Sequence, residues 1–129
     1  MKTTWPKVRI SHTLKFYAEH SLPEIGVAER HGHEFTLTAG WLHEINPYHG
    51  CTKPMQDIRK DLAEVVVLLD SKYLNDVFRH PPTAETMACW IMARLPEYWD
   101  FVRIEAYDGF SAEVQAGVMR SEWLAEYRK

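Results

Sequence analysis

Cysteine is scarce in this chain. Cys51 and Cys89 are the only two, and they form no metal-type spacing. That sets aside a thiolate metal motif and makes a reduced, cytoplasmic setting the simplest expectation. Long hydrophobic runs are missing as well: the longest aliphatic run, Val65 to Leu69, is far too short to span a membrane. The opening stretch MKTTWPKVRI has no apolar core of its own, so no signal peptide is expected. There is no excess of positive charge. The formal net charge is −3, which gives a nucleic-acid role no support. Repeats, low-complexity segments and linkers are absent too. Hydrophobic residues make up 46% of the chain, which excludes disorder. With 129 residues, a single domain over 1–129 with a real core is expected.

What is present is histidine in a particular place. His20, His31 and His33 lie at the two ends of one loop in FYAEHSLPEIGVAERHGHEF. VRISHTLKFYAEH alternates, with Val8, Ile10, Leu14, Phe16 and Ala18 on one parity, the pattern of a half-buried strand. His20 falls on that apolar parity. HGHEFTLTAGW alternates too, placing His31 and His33 beside each other on the face of Phe35 and Leu37. In an antiparallel hairpin His20 would lie opposite His31, with cross-strand Cβ atoms about 5 Å apart. Three converging imidazoles leave a fourth tetrahedral position open, as in a catalytic zinc site. Nickel or iron would also accept them. An HxH spacing also arises by coincidence on a strand, and both readings stand at this point. Gly32 is expected to permit close backbone approach between the two ligands.

The remaining pattern reads strand, strand, helix, helix, strand, strand. The second strand is expected from about 32 to 43, followed by a turn over Asn46-Pro47-Tyr48-His49-Gly50. Met55, Ile58, Leu62, Val65, Val66 and Leu69 recur at helical spacing. Asn75 to Pro82 reads as a connection. Thr83 can cap a second helix containing Met87, Trp90, Ile91 and Leu95, which Pro96 ends. FVRIEAYD alternates, Asp108-Gly109 is a hairpin turn, FSAEVQAGVM is the closing strand, and SEWLAEYRK could add a short helix. The expected class is α+β, a four-stranded antiparallel sheet with two helices on one face. Its edges call for oligomerisation.

FYAEH, HGHEF, LDSKYLND, PPTAETMACWI and VRIEAYDGFSAEV, in that order, resemble the 6-pyruvoyl-tetrahydropterin synthase and 6-carboxytetrahydropterin synthase family. The resemblance runs from about Phe16 to Val114. It implies the tunnelling fold, in which subunits join their sheets into a barrel, commonly as hexamers; a trimer is the other expectation here. It implies a pterin-type small molecule such as dihydroneopterin triphosphate as substrate, and carbon–oxygen lyase chemistry of the pterin or queuosine-precursor type. It implies zinc held by His20, His31 and His33, a pterin anchored by Glu105, and Thr83 close to it. On the residues alone, Glu105 is a lone acid on the face opposite Val102 and Ile104, and Thr83 is a helix cap.

The departures from that family matter as much. Its cysteine base, four residues before the first histidine of HGH, is matched here by Val27. Its aspartate–histidine pair is matched by Asp70 followed by Ser71. An aspartate often found before the first helix is matched by Pro54. A positioned base contributes about 10²–10⁴-fold, so the family reaction would need a substitute. Glu29 is the nearest candidate and Glu24 a weaker one. Asp70 either takes part in proton transfer or braces the first helix end. Cys51 and Cys89 read as packing residues. Two functions follow as expectations: an enzyme of this family with altered proton-transfer residues, or a homologue that binds zinc and a pterin-like ligand without the family reaction.

Overall fold

The computed structural model describes residues 4–107 and 109–129. Strand β1 (Lys7–Leu22) and strand β2 (Val27–Glu44) form a long antiparallel hairpin, joined by a 3₁₀ turn at Pro23–Ile25. Helices α1 (Met55–Val66), α2 (Leu74–Val77) and α3 (Ala84–Arg94) follow. Strands β3 (Phe101–Tyr107) and β4 (Phe110–Gln115) complete the sheet, and helix α4 (Ser121–Arg128) closes the described chain. The sheet order is β1-β2-β3-β4, antiparallel throughout.

The expected ββααββ plan is present, with corrections at its boundaries. β2 begins at Val27 rather than 32 because the hairpin continues past the histidines. The helix expected to reach Leu69 ends at Val66 and passes into tight turns. A four-residue helix occupies the start of the expected connection. β4 stops at Gln115, where a 3₁₀ turn at Ala116–Val118 replaces the predicted strand. The Asp108-Gly109 turn falls partly outside the described residues, since Asp108 is not among them; Gly109 has φ +77°.

Alternation explains the two faces. Phe16 and Ala18, Phe35, Leu37, Ala39 and Trp41, and Val102, Ile104 and Ala106 are all buried on the helix side. Lys15, Tyr17, Glu34, Arg103 and Glu113 are exposed on the other. Helix α1 turns Ile58, Leu62 and Val65 to the core. Helix α3 is buried nearly all round, from Ala84 to Ala93, because it lies between the sheet and α4. Its first turn is capped as expected: Thr86 N donates to Thr83 Oγ1 at 3.1 Å. The buried indoles find partners, Trp41 Nε1 on Thr52 Oγ1 at 2.9 Å and Trp99 Nε1 on Asp61 Oδ2 at 3.0 Å. Among the described residues no helix is long and apolar enough to cross a membrane.

Gly40 permits a close backbone approach in the sheet. A Cβ there would collide with the Ile10 carbonyl and press on the Phe101 ring at 2.9 Å. The first obstacle is backbone and cannot swing aside. Gly40→Ala is therefore expected to cost about 1–3 kcal/mol, read as a lower urea midpoint at unchanged slope.

Candidate metal centre

The long hairpin carries the histidines to its far end in register. His20 pairs with His31 across β1 and β2, and Ala18 with His33. Their ring centroids lie 4.6 Å (His20–His31), 5.3 Å (His20–His33) and 4.8 Å (His31–His33) apart. One ring nitrogen from each lies within 4.8 Å of the others. Phe35 forms the floor, its ring 5.8 Å from His20 and 5.7 Å from His33.

Two of the three rings are fixed by backbone carbonyls. His20 Nδ1 lies 2.9 Å from the Pro82 oxygen, and His31 Nδ1 lies 2.9 Å from the Glu29 oxygen. A carbonyl only accepts, so each Nδ1 carries the proton and each Nε2 presents a lone pair. This is the arrangement that metal-binding histidines use. His33 is held instead by the Tyr107 ring, stacked on it at 4.9 Å and 19°. The donor set thus fits a cation that accepts imidazole nitrogen, zinc foremost.

Burial lowers the pKa of His20 and of His33 below the usual 6.5; at His20 the Pro82 hydrogen bond opposes this in part, and at both the neighbouring imidazoles add to it. The folded protein therefore favours the neutral rings a metal requires. Stability from these two groups is complete above about pH 6.5 and is lost as pH falls through their lowered values. The thermal midpoint of metal-free protein is expected to drop between about pH 7 and about pH 5, and to drop less in His20→Gln.

The imidazoles form one wall of a cavity of about 400 Å³, with Thr83, Glu85, Tyr107 and Phe110 around it. Tyr107 and Phe110 stack at 6.3 Å and 19°, giving the mouth a flat aromatic side. Glu85, in the first turn of α3, is the one carboxylate among the described lining residues and has no hydrogen-bond or ion-pair partner among them. It stands two residues after Thr83, inside the PPTAE motif. Tyr107 has no such signal, because period-2 alternation would put it on the face of Glu105. A register shift between Glu105 and Tyr107 turns it to His33 instead.

The other candidates are dispersed. Val27 lines the cavity. Glu29 is exposed and outside the lining; between His31 and Val27 strand β2 takes four steps while β1 takes two from His20 to Leu22, and this bulge holds Glu29. Glu105 pairs with Thr36 and Ser111 and is exposed on the opposite face of the sheet. Asp70 lies at the outer edge of β1, where its Oδ1 accepts the Tyr17 N–H at 3.1 Å. Ser71 beside it has φ +63°. Gly32 serves a different end from the one expected: the Tyr17 ring fills the space where a Cβ would be. Burial raises the pKa of the Cys89 thiol, and Cys51 is an exposed free thiol outside the cavity.

Fold and site together define an α+β protein with an imidazole-walled cavity at one end of an open antiparallel sheet. The sequence model for 6-pyruvoyl tetrahydropterin synthase matches residues 9–115, and the chain belongs to that family. Among solved structures it is similar to the 6-pyruvoyl tetrahydropterin synthase of Caenorhabditis elegans, with TM-score 0.83 and 18% identity over 89% of this chain and 99% of that one. At that identity the likeness carries the fold. No curated protein matches the chain by sequence.

Proposed function

We propose that this chain is a zinc-dependent pterin-site protein, acting on dihydroneopterin triphosphate or a related pterin with altered proton-transfer residues. One observation carries the reading: three imidazoles, two with Nδ1 tied to carbonyls, face a cavity that also holds a carboxylate without a partner among the described residues and a flat aromatic side. Zinc bound there would polarise oxygens on the ligand side chain. Tyr107 and Phe110 offer a face for a planar ring. Glu85 can accept two hydrogen bonds from a guanidine-like edge, and Thr83 lies at the same wall. Glu85 thus gives each copy a carboxylate of its own toward the pterin.

Glu105 and Asp70 lie outside their own chain's cavity lining. Their proposed roles, in anchoring the pterin and in proton transfer, therefore belong to a neighbouring copy's site. The outer edges of β1 and β4 end the sheet on either side, and joining them would close it into a barrel. We propose a homo-oligomer, trimer or hexamer, in a cytoplasmic setting, with neither nucleic acid nor membrane as partner.

A second reading has its own support. Val27 lines the cavity at the family's cysteine position, so the missing thiol is missing from the wall itself. The chain would then bind zinc and pterin without the family reaction. Zinc-loaded protein incubated with dihydroneopterin triphosphate, with products followed by mass, separates the two. Turnover supports the enzyme; micromolar binding without turnover sinks it for that substrate; no binding sinks both. For the enzyme, Glu29 is the proposed substitute base. Glu29→Gln should then abolish turnover while zinc content stays intact, and an unchanged rate removes Glu29 from the role.

A further inference from the structure

Helix α4 lies beyond residue 115, where the family match ends, yet it is tied to the segment that holds His20. His80 Nε2 lies 3.1 Å from Glu126 Oε2 on α4, and the His80 ring lies 5.1 Å from that of Tyr127. Two residues further on, the carbonyl of the fully buried Pro82 receives His20 Nδ1. The stretch between α2 and α3 has no regular structure. Besides backbone bonds at its two ends, Phe78 N to Leu74 O and Thr83 N to Pro81 O, side chains anchor it: Phe78 stacked on Trp90 at 5.0 Å and 11°, then His80 on α4.

Helix α4 is itself firmly held. Arg94 donates through Nη1 to the Tyr127 oxygen at 2.6 Å and through Nη2 to the Arg128 oxygen at 3.3 Å. Arg128 Nε donates in return to the Ala93 oxygen at 2.7 Å. Each arginine thus caps the C-terminal end of the other's helix, where a cation is favoured. The Arg94 guanidinium also lies 3.6 Å from the Trp90 ring.

We infer that α4 is a positioning element for the metal centre. His80 on Glu126 fixes the Pro81-Pro82 segment, and Pro82 in turn fixes the tautomer and orientation of His20, presenting Nε2 to the cavity. The inference rests on the zinc-site reading above. Partners that orient a metal-binding histidine typically change metal affinity by about 10–100-fold when removed.

The test compares His80→Ala, His80→Gln, Glu126→Gln and Lys129→Ala by chelator-competition titration with zinc and by the visible spectrum with cobalt. His80→Ala should weaken zinc by roughly tenfold and alter the cobalt bands. His80→Gln and Glu126→Gln, which each keep a neutral hydrogen bond, should fall between. Lys129→Ala, which breaks only the 3.1 Å contact of Lys129 with Glu126, should match the unmodified protein. Proton NMR of metal-free protein gives a second readout: the protected His20 Nδ1–H signal should shift or vanish in His80→Ala. If affinity, cobalt bands and that signal are all unchanged in His80→Ala, the inference is overturned. If the unmodified protein binds no zinc, the zinc-site reading fails, and the NMR signal alone decides whether α4 positions His20.

Discussion

His31→Ala is expected to lower zinc affinity by about a hundredfold. A four-ligand zinc site is worth about 10–16 kcal/mol, or roughly 3 kcal/mol per ligand, and 1.4 kcal/mol is a factor of ten. The measurement is thermal stability with and without zinc. At a free zinc concentration about 100 times the dissociation constant, the unmodified protein gains about 2.7 kcal/mol. The variant, bound a hundredfold more weakly, would gain about 0.4 kcal/mol. The metal-free midpoint should hardly move, because His31 is half-exposed and makes no contribution to the apolar core. His33→Ala should lose zinc similarly, and it also removes the ring stacked on Tyr107 at 4.9 Å. A zinc-induced gain in His31→Ala equal to that of the unmodified protein would show that the ligand set is wrong.

The histidine cluster was legible because strand periodicity is rigid. Once VRISHTLKFYAEH and HGHEFTLTAGW read as paired strands, His20 had to fall opposite His31, and it does. The same rigidity failed where a strand bulges. Parity puts Glu29 with His31 and Tyr107 with Glu105, but register shifts at both places separate those pairs. Glu85 carries no distinct signal in the sequence, because a helix-start acid is ordinarily explained by the helix dipole alone. The Pro82 carbonyl could not be read at all: it depends on a contact across 62 residues, and backbone groups carry no sequence signature. Glu105 is an exposed acid on the far face both by alternation and in the folded sheet. Only the family resemblance gives it a ligand, and that role requires assembly.

Introducing at positions 27 and 71 the thiol and imidazole that the family resemblance implies tests that assembly and the reaction together. Val27→Cys puts a thiol on the cavity wall, at a half-exposed site where a smaller side chain displaces nothing from the core. Ser71→His sets an imidazole beside Asp70. Its backbone is left-handed, φ +63°, and histidine is among the residue types that tolerate that region. The two sites do not meet within one chain, because Ser71 lies by the outer edge of β1, its N–H on the Tyr17 carbonyl at 2.6 Å, and is not part of the cavity lining. Either substitution alone is therefore expected to change little. Together, in an oligomer that brings one copy's β1 edge to another's cavity, they should raise triphosphate elimination from dihydroneopterin triphosphate by about 10²–10⁴-fold. Rates by mass, with oligomer size by sedimentation on the same samples, are the measurement. An oligomer that binds zinc and the pterin yet gains less than about tenfold would mean that the cavity does not present the pterin side chain to position 27, and the family reaction would no longer describe this site. A monomer that gained the full factor would break the other half of the argument, since it would place Asp70 and the cavity within reach of each other in a single chain.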